Sequence, residues 1–409
     1  MNEQNTISFE NTETAFAAKS DQQLKRAHFV FNAMGKPWLV KLGLKITPPA
    51  IRWHIPFTKT IIRKTIFKQF VGGETLEETA TVANKLEQYK VKVILDYGVE
   101  GKEGEDNFEE ARDQFIKVID YAATQANIPF MSVKVTGFAR FALLEKIDSA
   151  MHALQGTLMK RYLAAVENLP TAEREEWHRI RLRVLRVCEE ASLKNIGVLI
   201  DAEETWIQDP VDALTILMMD TFNKQKAVVY NTLQLYRHDR LAFLKESYAA
   251  AAERNFILGA KLVRGAYMEK ERNRAAAMGY PSPIQPDKET CDKDYNAAVE
   301  FCIDHLDRIA LIVASHNDYS NLYTTQLLDK KGLPHSHPHV HFSQLYGMSD
   351  NITFNLAGSG CSVSKYLPFG PIKDVIPYLL RRAQENSSVS GQTGKELLLI
   401  KKEMRRRSI

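Results

Sequence analysis

From residue 90 onward the chain repeats one alternation. A short apolar, β-branched run gives way to a polar loop and then to a charged, amphipathic stretch long enough for a helix. The runs fall at residues 91–97, 129–136, 197–201, 227–233, 259–263, 310–315, 340–344 and 362–366, with helical segments such as 107–124, 171–195, 239–255 and 287–307 between them. Strands that are apolar along their whole length are buried on both faces, as in a parallel sheet covered by helices. Eight such repeats predict an α/β chain whose sheet closes into a distorted (β/α)8 barrel of the TIM type rather than staying open. No Gly-x-Gly-x-x-Gly follows any of the runs, which speaks against a dinucleotide-binding open sheet. Gly72-Gly73 reads as a hinge before the barrel and not as a phosphate loop.

A barrel of this kind places its chemistry at the carboxyl ends of its strands. Polar groups do gather there: Lys134 after run 2, Asp201-Ala-Glu-Glu204 after run 3, Gln234 after run 4, and Lys261 with Arg264-Gly-Ala-Tyr267 at run 5. Ser315-His316-Asn317 follows run 6, Gln344-Leu345-Tyr346-Gly347 follows run 7, and Tyr366 closes run 8. Singly, each has an ordinary explanation; a strand-end histidine is more often a hydrogen-bonded core residue than a catalyst. Seven of eight runs ending this way predicts a ring of functional groups around one pocket.

Beyond the last run, Tyr378, Arg381, Arg382 and Glu385 stand at i, i+3, i+4 and i+7, one stripe along a helix. Taken alone, the stripe could be a solvated face with an ordinary Arg381–Glu385 pair. Adjacent guanidiniums are nevertheless suited to a carboxylate or phosphate, because their planar forks donate in parallel to two oxygens.

The N-terminal part differs from the rest. From Gln22 to Gly73 there is no Asp or Glu, while Lys25, Arg26, Lys36, Lys41, Lys45, Arg52, Lys59, Arg63, Lys64 and Lys68 alternate with Trp38, Leu39, Ile46, Trp53, Ile55, Phe57, Ile61, Ile62, Ile66 and Phe67. Such a segment suits an anionic membrane surface, with aromatic groups at the interface. It equally suits a helical arm packed on the body with its lysines pointing outward. The expected organisation is a helical, basic arm over 1–85, the barrel over 86–395, and a basic, solvated C-terminal tail over 396–409. A net charge of +4 over 409 residues points to no nucleic acid. Cys188, Cys291, Cys302 and Cys361 form no CxxC pair and read as reduced thiols. His335, His337, His339 and His341 lack a carboxylate or cysteine to complete a ligand set, so no metal is expected. With neither signal peptide nor membrane-spanning run, the expected location is the cytoplasm, peripheral on the inner face of the cytoplasmic membrane where the arm engages lipid.

Several long motifs, in order, resemble the proline dehydrogenases, closest to the single-function, mitochondrial-type members. They are Leu95-Asp-Tyr-Gly-Val-Glu100, Ile200-Asp-Ala-Glu-Glu204, Gly259-Ala-Lys-Leu-Val-Arg-Gly-Ala-Tyr-Met-Glu-Lys-Glu-Arg272 and Val313-Ala-Ser-His-Asn317. Phe342-Ser-Gln-Leu-Tyr-Gly-Met348, Lys365-Tyr-Leu-Pro-Phe-Gly-Pro371 and Tyr378-Leu-Leu-Arg-Arg-Ala-Gln-Glu-Asn-Ser-Ser388 follow. The resemblance implies FAD over the strand ends, with Gln234, Lys261, Val263, Gly265, Ala266, Tyr267 and His316 as its contacts. Many bacterial members carry Arg where Lys261 stands. The same resemblance gives Arg381 and Arg382 the substrate carboxylate and has Glu385 orient them. Lys134 and Asp201 line the pocket, Asp201 placed to pair with one of the arginines, and Leu345, Tyr366 and Tyr378 wall the substrate ring.

The implied reaction oxidises L-proline to 1-pyrroline-5-carboxylate by hydride transfer from C5 to flavin N5, with electrons passing to a membrane quinone. C5 carries no acidic proton, so an electron sink is needed, and a carboxylate grip fixes the geometry from the far end. The ring nitrogen must be a neutral amine before hydride leaves, so the rate should rise with pH. Tyr366 should crowd a 4-hydroxyl and favour proline over hydroxyproline. No aldehyde dehydrogenase domain or ribbon-helix-helix module is expected, so a separate pyrroline-5-carboxylate dehydrogenase takes the product. The rivals are a barrel aldolase or lyase with Lys134 or Lys261 as a Schiff base, and a non-enzymatic membrane or nucleic-acid scaffold.

Overall fold

The computed structural model describes residues 7–53, 55–98, 103–388 and 392–409; Met1–Thr6 at the start, and Val99 and Glu100 at the end of the first motif, lie outside them. Eight parallel strands close into a barrel in sequence order. They are β1 Lys92–Tyr97, β2 Phe130–Val133, β3 Gly197–Ile200, β4 Val229–Gln234, β5 Leu258–Val263, β6 Ile309–Ala314, β7 Val340–Leu345 and β8 Val363–Phe369. All eight coincide with the apolar runs. β3 and β4 are buried at every position, which is why their sequences show no alternation. β2 stops at Val133, earlier than the run suggests, because Val135–Gly137 winds into a 3-10 turn.

The chain divides into two compact units, one of residues 100–315 and 323–341 and one of residues 1–99, 316–322 and 342–409. The first contains β2 to β6 with helices such as Glu105–Ala123, Thr171–Lys194, Arg240–Arg254 and Lys288–Asp304. In it β4 pairs with β5 so that Thr232 faces Lys261 and Gln234 faces Val263.

In the second unit β8 lies between β1 and β7, with Ile94 and Leu345 both level with Tyr366. Its helix Asp21–Met34 starts in a reciprocal cap between Ser20 and Gln23. Leu24, Ala27, Val30 and Phe31 recur on one face of that helix and pack into a cluster with Phe70, Val375, Leu379 and Ile400. The arm therefore packs through its first long helix. The arm helix Pro37–Arg52 instead carries Trp38, Leu42 and Ile46 on its outer face, at 64%, 47% and 52% exposure.

The C-terminal segment departs from the solvated tail its basic run suggests. It forms the helix Gln392–Arg406 with Leu399, Ile400 and Glu403 buried, while Lys401, Lys402 and Arg405 take the outer face. Among the described residues no helix is long and apolar enough to cross a membrane.

Candidate functional site

Exposure along the strands is graded. β5, β6 and β7 are buried throughout and open only at their last residues, Val263, Ala314 and Leu345. β1 opens at both ends, at Lys92 and Tyr97, β2 at its first residue Phe130, and β8 at Tyr366 alone. In β5, β6 and β7 the carboxyl ends, where candidate residues lie, are thus the ends at which side chains become accessible.

In the unit of residues 100–315, Asp201 directly follows β3, and its carboxylate forms an ion pair with the Lys261 ammonium inside β5. Both side chains are largely enclosed, at 13% and 5% exposure, so each charge depends on the other. Gln234 ends β4; its amide donates to the Glu203 carbonyl at 3.1 Å, and its Oε1 is buried with no hydrogen bond among the described residues. Lys134 follows β2 directly and is half-buried. The Thr136 hydroxyl beyond it donates to Glu203 at 2.8 Å.

After β5 the chain turns at Gly265 with φ of +135°, in the region that favours glycine. A Cβ there would also stand 2.5 Å from the Tyr236 ring. Gly265 and Ala266 are exposed and Tyr267 is half-buried. Arg264, beside them, is fixed by Asp292 at 2.7 Å and Ser315 at 2.8 Å, over the Tyr295 ring at 4.3 Å.

In the other unit, the helix Ile372–Ser388 presents the stripe found in the sequence. Arg382, 7% exposed, donates to Glu385 at 2.6 Å, and its guanidinium lies 5.4 Å from the centre of the Tyr378 ring. Burial pushes the Glu385 carboxyl up, against the pull of Arg382 and Arg381. Burial also pushes the Tyr378 phenol up to about 12, opposed by Arg382, which keeps it a protonated donor at neutral pH. Its hydroxyl is buried without a hydrogen bond among the described residues. Arg381, next on the stripe, is half-buried. His316 Nδ1 meets the Ser349 hydroxyl at 2.8 Å, and the Leu345 amide points at His316 Nε2 at 3.5 Å.

The structure brings together Asp201 with Lys261, Arg382 with Tyr378 and Glu385, and His316 with Leu345. The histidine run is divided among neighbours: His335 meets Asp329 at 2.9 Å, His339 the Leu306 carbonyl at 2.6 Å, and the His341 ring lies 5.0 Å from that of Phe130.

Sequence reasoning missed a buried charge cluster behind His316. Asp350 bridges Lys19 at 3.0 Å and Lys365 at 2.9 Å, while Glu396 accepts from the Ser349 amide. A lysine within the apolar run of β8 was the available signal, since a cation there requires a buried partner. Burial, with Asp350 adding to it, pushes Glu396 up to about 7, although the Ser349 amide, Lys365 and Lys19 pull it down. Because its folded value exceeds the ordinary 4.5, the folded protein binds this proton more tightly than the unfolded chain. Stability is therefore lost as pH rises from about 4.5 to 7 and stays lost above. Glu396→Gln removes this loss: it should melt higher than the parent at pH 8, by up to about 3 kcal/mol, with no such gain at pH 4. Thermal scans at the two values check this, and an equal shift at both would refute it.

The residues after β4 and β5 suit a flavin. The buried amide oxygen of Gln234, with no hydrogen bond among the described residues, can accept from a ring N–H, and the Gly265–Ala266 backbone, after the next strand, is exposed to a ligand.

Comparison with known proteins follows the same line. The family model described as proline dehydrogenase matches residues 79–395. The chain is 36% identical over 340 residues to the carbapenem antibiotics biosynthesis protein CarD of Pectobacterium carotovorum subsp. carotovorum, covering 83% of this chain and 84% of that one. It is 31% identical to the mitochondrial proline dehydrogenase 1 of Dictyostelium discoideum, with 85% and 65% covered, and 30% identical to the hydroxyproline dehydrogenase of Xenopus laevis, with 96% and 88% covered. Among solved structures, proline utilization A (PutA) from Bdellovibrio bacteriovorus, inactivated by N-propargylglycine, superposes with a TM-score of 0.70 at 19% identity. That alignment takes in 96% of this chain and 38% of the other, and at this identity it speaks for the fold.

Proposed function

The chain belongs to the proline dehydrogenase family of oxidoreductases in proline catabolism, and from that membership we propose that it oxidises L-proline to 1-pyrroline-5-carboxylate with a bound FAD and passes the electrons to a membrane quinone. One observation carries the substrate assignment: the buried Arg382 guanidinium, set by Glu385 and flanked by Tyr378 and Arg381, on a helix inside the matched region. A planar fork held in that way is suited to grip an amino-acid carboxylate.

The residues of the chain then divide the work. Arg381 and Arg382 hold the carboxylate and Glu385 keeps their forks aligned, which fixes the ring in one orientation and converts binding energy into positioning. Lys134 and Asp201 line the pocket, with Lys261 pinning Asp201. Leu345, Tyr366 and Tyr378 enclose the ring and exclude water from C5. Gln234, Lys261, Val263, Gly265, Ala266, Tyr267 and His316 would hold the flavin, which when bound supplies the sink, at N5, for the hydride leaving C5. Proline must enter with its nitrogen unprotonated, so turnover rises with pH. The imine product is consumed by a separate pyrroline-5-carboxylate dehydrogenase. The arm, where it meets lipid, holds the enzyme peripherally at the inner face of the cytoplasmic membrane.

The test is the visible spectrum of purified protein, followed by anaerobic L-proline. A flavin band that proline bleaches supports the reading. A flavin that proline leaves oxidised removes proline as substrate, and a colourless protein that FAD cannot reconstitute removes the flavin. Tyr366 makes a narrower prediction. Tyr366→Ser should raise turnover of 4-hydroxyproline relative to proline at least tenfold, because the ring it removes borders the substrate. A parent enzyme that turns over both substrates equally would refute this role.

A further inference from the structure

An apolar cavity of about 180 Å³ lies between the arm helix Pro37–Arg52 and the helix Ile372–Ser388. Leu39, Gly43 and Leu44 form one wall, Leu380 and Ala383 the other, and Ile66 lies between; Thr47 is its one polar lining side chain.

Resting on the oxidoreductase reading above, we propose that this cavity seats the polyprenyl tail of the quinone that accepts the electrons. Three features converge. The first is Gly43, which sits inside a helix, where glycine costs about 1 kcal/mol relative to alanine. A Cβ at that position would meet nothing within 4 Å, so no packing among the described residues accounts for the glycine. Its effect is to keep the wall open.

The second is the surface beside the cavity. Trp38, Leu42, Ile46, Trp53 and Phe57 are 47–79% exposed, with Lys41 and Lys45 among them and no acidic residue from Gln22 to Gly73. That charge pattern complements an anionic lipid surface, from which a long apolar tail can be delivered. The third is position. Leu380 and Ala383 face away from Arg381, Arg382 and Glu385 on the same helix, so a tail in the cavity lies one helix diameter, about 10 Å, from the carboxylate grip. The exchange balances: proline loses a hydride from C5 and a proton from nitrogen to form C=N, and the quinone gains two electrons and two protons to become a hydroquinone.

The test compares decylubiquinone with a tail-less benzoquinone on the holoenzyme. Binding is read by quenching of tryptophan fluorescence, and acceptor use by KM. The parent should bind the tailed quinone at least tenfold more tightly, and Gly43→Phe should abolish that advantage while leaving the tail-less quinone unchanged and without lowering the melting temperature. Should Gly43→Phe fail to fold, Thr47→Phe fills the same space from the arm side with the same expected result. Equal binding of both quinones by the parent overturns the proposal, as does displacement of the tail by a phospholipid acyl chain alone or a dimer that Gly43→Phe splits. Failure of the proline reading would look different: a flavin that L-proline leaves oxidised, whatever the tail does.

Discussion

If Arg382 grips the proline carboxylate as proposed, replacing it by alanine should lower kcat/KM for L-proline by about two to three orders of magnitude without loss of the proposed flavin. A charge-assisted hydrogen bond is worth about 1.5–3 kcal/mol net, and a fork that donates two loses both. The loss should fall on kcat as well as KM, because the grip aims C5 and does more than retain the substrate. Arg382→Lys should recover little. A point charge on a flexible stem cannot reproduce a planar fork held by Glu385 at 2.6 Å over the Tyr378 ring. Steady-state kinetics with the flavin spectrum as control decides it. A variant within threefold of the parent would remove Arg382 from the substrate site.

The second large effect is on stability. Asp201→Asn should destabilise the protein by about 3–5 kcal/mol, because the Lys261 ammonium, 5% exposed, would then face a neutral amide in place of a carboxylate. Lys261→Met alone should be costly for the mirror-image reason. The double variant should lose less than the sum, since neither charge is then left opposite a mismatched group. Urea denaturation of the three variants measures this coupling. Strict additivity would mean that the pair contributes nothing of its own.

The barrel was legible in the sequence because parallel strands buried on both faces leave continuous apolar runs that need no partner information to find. Their ends were less so: β8 continues through Pro368 to Phe369, past the point where a proline suggests a stop. The stripe Tyr378–Arg381–Arg382–Glu385 was legible for the same reason as the strands, since helical period fixes which residues share a face. Pairings were not legible. Nothing local says that Asp201 should meet Lys261, or that Lys19, Asp350, Lys365 and Glu396 should gather around one buried carboxylate pair. Such contacts join separate elements, 60 residues apart for Asp201 and Lys261 and far more for Lys19 and Asp350, and periodicity reports faces, not partners. The C-terminal segment misled through composition: its basic residues dominate the count, while Leu399, Ile400 and Glu403, at helical spacing, decide where it goes.

Lys19 stands sixty residues before the stretch that the family model matches, yet its ammonium is 3.0 Å from Asp350, which also holds Lys365 in β8. Trimming the gene to that stretch, residues 79–395, would leave that carboxylate with one cation fewer and strip Leu24, Phe31 and Phe70 from the cluster around Val375 and Leu379. For anyone excising a minimal enzyme, the boundary of the matched stretch is thus the wrong place to cut, because the segments outside it are structurally the keystone of those inside.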